Sequence, residues 1–156
     1  MFKRFTLVAA AMLAAGPAFA ADVTESTPVN APAAKVWATI GGFCGIAKWH
    51  PAVEGCALSE QGGKPIRTLS LKGGGTIVEQ ETGRDDVAMK YSYVILESPL
   101  PVQNYISTIA VTDNGKGGAV VTWSGQFEPK GAEAAAKTVI DGIYVKGLAG
   151  IVDKST

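Results

Sequence analysis

The middle of the chain holds six strand-like runs in succession with no helical stretch between them. They are Val53 to Ser59, Ile66 to Leu71, Thr76 to Glu81, Val87 to Leu96, Tyr105 to Thr112 and Ala119 to Phe127. Turn-forming clusters part them: Gln61-Gly62-Gly63, Lys72-Gly73-Gly74-Gly75, Gly83-Arg84-Asp85-Asp86, Pro99-Leu100-Pro101 and Asp113-Asn114-Gly115. A spacing of about ten residues fits an antiparallel meander, since parallel neighbours need a longer crossover. Side chains alternate across a strand. Tyr91, Tyr93 and Ile95 therefore share one face, as do Tyr105, Ser107, Ile109 and Val111 on the next run. Val121, Trp123 and Phe127 do the same on the last, with Gly125 between them.

The flanks supply one more strand and the helices. Val23 to Val29 reads as a strand that Pro28 confines to an edge or an end. Asn30 is a good N-cap for a helix from Pro32 to Ile40, which Gly41-Gly42 stops. A second helical turn, Cys44 to Trp49, ends at His50-Pro51, because a residue before proline avoids the helical region. After Pro129-Lys130-Gly131 a long helix is expected from Ala132 to Val152. Ala136, Ile140, Ile143, Gly147 and Ile151 form its apolar stripe, and Lys137 and Asp141 an i,i+4 pair on its polar side. At 1.5 Å per residue it is about 32 Å long, enough to cross a small domain. Gly142, Gly147 and Gly150 each weaken it by about 1 kcal/mol relative to alanine. They imply either close packing or room for something beneath the helix.

The first twenty residues read as an address. Phe2-Lys3-Arg4 is a short positive start, Phe5 to Ala15 is almost wholly apolar, and Ala18-Phe19-Ala20 offers small residues for cleavage. This is the pattern of a secretory signal peptide, cut after Ala20. The apolar run is roughly half of the ~20 residues a membrane span needs. The expected product is one soluble domain, residues 21–156, exported to a bacterial periplasm with no stable membrane insertion. In that oxidising compartment Cys44 and Cys56 most simply form one disulfide. Closing a loop of about 13 residues stabilises by roughly 3 kcal/mol.

Composition excludes several functions. Fourteen basic groups balance fourteen acidic ones, which argues against a nucleic-acid surface. Two Cys and one His cannot build a four-ligand Cys/His zinc site. The sequence has no phosphate-loop, H-E-x-x-H or G-x-S-x-G motif, and no cofactor is expected.

Four stretches carry a family likeness: V-W-A-T-I-G-G-F-C-G-I-A-K-W-H-P-A-V, I-R-T-L-S-L, Y-S-Y-V-I-L-E-S-P-L-P-V-Q-N-Y and W-S-G-Q-F-E-P. With the order of elements they resemble the START-like, or SRPBCC, superfamily. Within it the chain is most similar to the polyketide cyclase/dehydrase and lipid transport family, over Val23 to Val152. The resemblance implies an α+β helix-grip fold. In it a seven-stranded antiparallel sheet wraps a long C-terminal helix, and two short helices follow the first strand. Exported members resemble the MxaD-like subgroup, which implies a periplasmic quinoprotein dehydrogenase or its cytochrome as a partner. Fold alone does not fix function.

Few residues are candidates for chemistry. His50, the only histidine, lies near the cavity mouth in the family geometry. It is either a weak candidate base or ligand contact, or a residue that caps and packs the turn before Pro51. Glu79 and Glu81 share a strand face opposite Arg67. Their spacing of about 7 Å is too wide for a retaining glycosidase, and a solvated face with a cross-strand Arg–Glu pair is expected. The residues expected to contact a ligand are Trp49, His50, Arg67, Tyr93, Tyr105, Trp123, Phe127, Ile140 and Tyr144. The aromatic members line an apolar pocket if they face the long helix, or fill a core if nothing is left empty. The leading expectation is non-catalytic binding of a small hydrophobic molecule. Assistance to a periplasmic redox enzyme comes second, and a cyclase or hydratase using His50 and a tyrosine third.

Overall fold

The computed structural model describes residues 21–156; the export signal read over residues 1–20 lies outside the described residues. Seven strands form one sheet: β1 (Ala21–Val29), β2 (Val53–Gln61), β3 (Lys64–Leu71), β4 (Thr76–Asp85), β5 (Lys90–Glu97), β6 (Val102–Asp113) and β7 (Ala119–Pro129). Their spatial order is β1-β7-β6-β5-β4-β3-β2, and every pairing is antiparallel. The expected meander forms in full, and β1 joins it beside β7. Helices α1 (Ala33–Ile40) and α2 (Ile46–Trp49) carry the chain from β1 across to β2 at the far edge. The long α3 (Glu133–Ser155) packs against the β1/β7 side of the concave face. This is the α+β helix-grip architecture.

Local chemistry moved some boundaries. Asn30 caps nothing: Pro32 stands at the N-cap in an extended conformation, and its carbonyl accepts from the N–H groups of Lys35 and Val36. Gly83-Arg84-Asp85 is not a turn but the end of β4, paired with Ser92, Tyr91 and Lys90. Gly83 marks a bulge there, the usual meaning of a glycine inside a strand. The turn falls three residues later, at Asp86 to Met89. Asp85 accepts from the Ala88 N–H at 2.8 Å, and Val87 sits at the exposed tip instead of opening β5.

The helix α3 rests on β1, β7, α1 and α2. Its buried side chains are Ala136, Ile140, Tyr144, Leu148, Ile151 and Ser155, and Gly147 is buried with them. Ile143, expected in the stripe, is only partly buried. Lys137 and Asp141 form no ion pair. Asp141 lies instead beside Glu25 of β1, and the neighbouring carboxyl pushes the Glu25 carboxyl above its usual range.

Two of the three helix glycines serve close packing. A Cβ on Gly147 would stand 2.5 Å from Trp123 and 2.7 Å from His50, and one on Gly150 would overlap the Trp49 carbonyl. Gly142 faces open space. The disulfide Cys44–Cys56 ties the α1–α2 connection to β2.

Gly150→Ala should therefore destabilise by about 1–3 kcal/mol, overpacking outweighing the better helix propensity. Gly142→Ala should stabilise by up to about 1 kcal/mol. Urea denaturation of both variants checks the opposite signs.

Candidate functional site: a cavity beneath the long helix

Because α3 leans on the β1/β7 side, the concave face of β2 to β5 is left uncovered by the helix. A cavity of about 220 Å³ lies there. Its walls are mainly aliphatic, with Val53, Leu69, Leu71, Ile77, Ile95 and Ile140 among them. Tyr93, Tyr105 and Trp123 supply the aromatic part. Lys72, Gly73 and Gly74 of the β3–β4 loop stand at one end.

A polar network joins the aromatic wall to residues behind it. The indole N–H of Trp123 is shared between the Tyr93 hydroxyl and Ser107 Oγ, each at 3.0 Å. Ser107 donates to the Ser124 carbonyl at 2.7 Å and lies 3.0 Å from the Tyr144 hydroxyl. Tyr144 in turn meets the Tyr105 hydroxyl at 2.5 Å. Gly125 makes this possible, because a Cβ there would overlap the Tyr144 hydroxyl. Burial pushes the phenols of Tyr93 and Tyr105 well above their usual range, and Tyr144 up to about 12. All three keep their protons at neutral pH.

Arg67 and Glu79 overturn the expectation of a solvated strand face. The cross-strand pair forms, with Arg67 Nε donating to Glu79 Oε2 at 2.5 Å, but both residues are buried, Arg67 at 0% and Glu79 at 4% exposure. The register explains this. Arg67 shares its strand face with Leu69 and Leu71, and Glu79 shares its own with Ile77; the apolar residues take that face inward and the charges go with them. Arg67 is further held by the Phe43 carbonyl at 2.6 Å and by the rings of Phe43 and Tyr93, 4.2 and 4.9 Å from its guanidinium carbon. Burial works against its charge, but Glu79 and the facing tyrosines more than offset that. Burial also pushes the Glu79 carboxyl up, and Arg67 holds part of that rise back. Glu79 lines the cavity, and no hydrogen bond among the described residues engages its second oxygen. Glu81 lies outside this pair and bonds Arg84 instead.

Of the nine residues expected to contact a ligand, five line the cavity: His50, Tyr93, Tyr105, Trp123 and Ile140. The other four stand behind the wall. Tyr144 stacks on Trp123 with ring centres 4.6 Å apart, and Phe127 stacks on Tyr105. Trp49 meets Trp123 edge-on and donates its indole N–H to the Ile40 carbonyl. Arg67 lies behind Glu79. The sequence reading missed Glu79 as a member of the lining, Leu69 and Ile77 as walls, and Ser107 as the hydrogen-bonding partner behind Trp123. Their shared strand faces were the available signal.

His50 has both ring nitrogens engaged. Nδ1 accepts from the Ala52 N–H at 3.1 Å, which leaves Nε2 as the donor to the Ile143 carbonyl, also 3.1 Å away. The ring thus ties the turn after α2 to α3. Burial holds its pKa below the usual value, with Arg67 and Lys146 adding to the effect against the opposing Ile143 hydrogen bond.

Residues 20–156 match the polyketide cyclase / dehydrase and lipid transport family. The chain belongs to this family. Among solved structures, protein XoxI from Bacillus cereus is 34% identical with a TM-score of 0.82, the match covering 86% of this chain and 95% of that one. An uncharacterized protein from Bacillus thuringiensis is also 34% identical, with a TM-score of 0.81 over 85% of this chain and 97% of its own. The Zhui aromatase/cyclase from Streptomyces sp. R1128 is 17% identical with a TM-score of 0.73 over 87% of this chain and 93% of its own, a likeness of fold. None of the curated proteins matches significantly. The family's ligand-binding fold agrees with the cavity found here.

Two outcomes follow from the buried charges. Arg67→Met strands Glu79 and should cost about 3–5 kcal/mol, whereas the double change Arg67→Met, Glu79→Leu should cost much less; urea midpoints decide between them. For His50, whose folded pKa lies below the unfolded value of about 6.5, the unfolded chain binds the extra proton. Wild-type stability should fall as pH drops through about 6.5 and level off below the folded pKa. His50→Ala should be less stable at pH 7 but should lack this component of the pH dependence.

Proposed function

We propose that the protein is an exported, periplasmic binding protein that takes a small, mostly apolar molecule into the cavity under α3 and does not transform it. One observation carries the reading: an aliphatic and aromatic cavity of about 220 Å³ whose lining includes a carboxylate oxygen of Glu79 that is unbonded among the described residues. A cavity of about 150 Å³ takes a benzene, so this one suits a single ring with a short substituent. Small-molecule sites are mostly apolar, with a few placed polar groups that set orientation. A ligand hydroxyl against Glu79 would keep the hydrogen bond it gives up in water. An isostere without that hydroxyl would leave the oxygen bare, and this difference is the source of selectivity.

Binding is favoured over chemistry by the state of the titratable groups. His50 has no free nitrogen, and the floor tyrosines hold their protons. That leaves the cyclase or hydratase reading without a free imidazole base. The disulfide suits an oxidising compartment, in keeping with export.

Native mass spectrometry on protein purified gently from its own periplasm is the first test. A reproducible small added mass is the expected result. An added mass the size of a protein would favour the redox-enzyme accessory role instead. Calorimetry with para-ethylphenol locates the site. Ile77→Trp, which fills the cavity, should lower affinity at least tenfold; unchanged binding would mean the cavity is not the site. Glu79→Gln should narrow the preference for para-ethylphenol over ethylbenzene by about tenfold or more, the usual range for a hydrogen bond to a charged group.

A further inference from the structure

Lysines crowd one end of the molecule. A groove of about 510 Å³ runs between α2 and the C-terminal half of α3, with the β3–β4 loop at its side. α2 supplies Lys48, the loop Lys72, and α3 both Lys146 and Lys154. The acid in the lining, Asp153, already meets Lys154 at 3.1 Å. Lys48, Lys72 and Lys146 stand exposed and form no ion pair among the described residues. In a chain whose fourteen basic groups balance fourteen acidic ones, this is a local excess. The negative end of a helix attracts cations, which accounts for Lys48 and Lys154 in the last turns of α2 and α3. It does not account for Lys72 on its loop, or for Lys146 about two and a half turns from the end of α3.

Apolar surface accompanies the charge. Trp49 and Val53, both buried, form part of the groove's floor, and exposed Pro51 and Ala149 stand beside them. From Ala149 the outward side of α3 stays apolar: Val145 and Val139 are 48% and 40% exposed, and Gly142 between them faces open space. These positions point away from the side that buries Ile140, Tyr144 and Ile151. A helix that covers a core with one side normally turns polar residues to water on the other. Here valine, glycine and alanine take that side, with Lys146 among them.

We infer that this groove and the adjoining side of α3 are a docking surface for a partner protein, which inserts an acidic segment that also carries apolar side chains. Shape and charge select that occupant. A lone oxyanion engages one or two of the lysines, whereas a run of carboxylates reaches lysines drawn from three separate elements. A flat bilayer meets the exposed lysines but not Trp49 and Val53 at the bottom of the groove. A protruding segment reaches both. An apolar centre within a polar rim is the usual make-up of a protein interface, and opposite charge speeds and orients the encounter. His50, Val53 and Lys72 line the groove and the cavity alike, so a partner seated here lies against the cavity's wall. The docking surface itself does not depend on what the cavity binds.

Fluorescence anisotropy with a labelled peptide, Glu-Glu-Leu-Glu-Glu-Leu-Glu-Glu, is the test. Wild type should bind it, and more weakly as salt rises. The double change Lys48→Glu, Lys146→Glu should weaken binding about tenfold or more, since each exposed pair is worth up to about fivefold and reversal adds repulsion. Lys90→Glu with Lys116→Glu alters net charge equally at exposed positions outside the groove, and should leave binding unchanged. Replacing both leucines of the peptide by serine should weaken it about threefold or more, because the apolar floor then has no partner. Failure of the acidic peptide to bind overturns the inference. So does equal loss in the two double variants, which marks unspecific attraction. Undiminished binding of the serine peptide overturns it too, because the groove then holds anions alone. Binding to phosphatidylglycerol vesicles that Lys48→Glu, Lys146→Glu abolishes, with no binding of the peptide, would make the partner a membrane.

Discussion

The position of α3 governs the rest of the molecule. Gly147 and Gly150 let the helix close onto His50, Trp123 and the Trp49 carbonyl, and Gly125 lets Tyr144 reach across to the sheet. Each close approach replaces a side chain with direct packing, and together they draw the helix to the β1/β7 side. A straight helix drawn to one side of a curved sheet cannot cover the other side. The cavity over β2 to β5 follows from that geometry, and it requires no residue dedicated to making a hole.

What lies at the bottom of that space is unusual for a small domain. A guanidinium and a carboxylate, both buried, sit in contact with stacked aromatic rings. Such a pair brings little net stability, because removing both charges from water costs about as much as their attraction returns. It does fix geometry. Arg67 joins β3, β4 and the Phe43 carbonyl ahead of α2, and the disulfide at Cys44 anchors the same connection to β2. Hydrogen bonds join the tyrosines, Ser107 and Trp123 beside it into one network. Glu79 is the charged group that faces the cavity with an oxygen unbonded among the described residues, which is why recognition is assigned to it.

The fold was largely legible. The meander, the edge strand with Pro28, the two short helices and the long final helix all appear where periodicity and turn residues place them. The failures were local. Asn30 lost the cap to Pro32, whose fixed φ suits the position. The Gly83–Asp86 cluster carried turn chemistry, yet its glycine marks a bulge because β5 pairs alongside it. The expected Lys137–Asp141 pair gave way to Asp141 meeting Glu25, a partner 116 positions away in the chain. The candidate site was half legible. Aromatic alternation found Tyr93, Tyr105 and Trp123, but residue type made Arg67 and Glu79 look solvated.

The sequence by itself determined the elements, the antiparallel meander of β2 to β7 and the aromatic inward positions, because these rest on short-range periodicity and turn chemistry; the cysteine pair follows from there being only two. Only the tertiary structure decided that the charged pair is buried, that His50 is fully engaged, and that Gly147 and Gly150 pack closely while Gly142 does not. Each of those depends on which surfaces meet across the sheet and helix. That is settled by packing between residues far apart in the chain, and no local pattern records it.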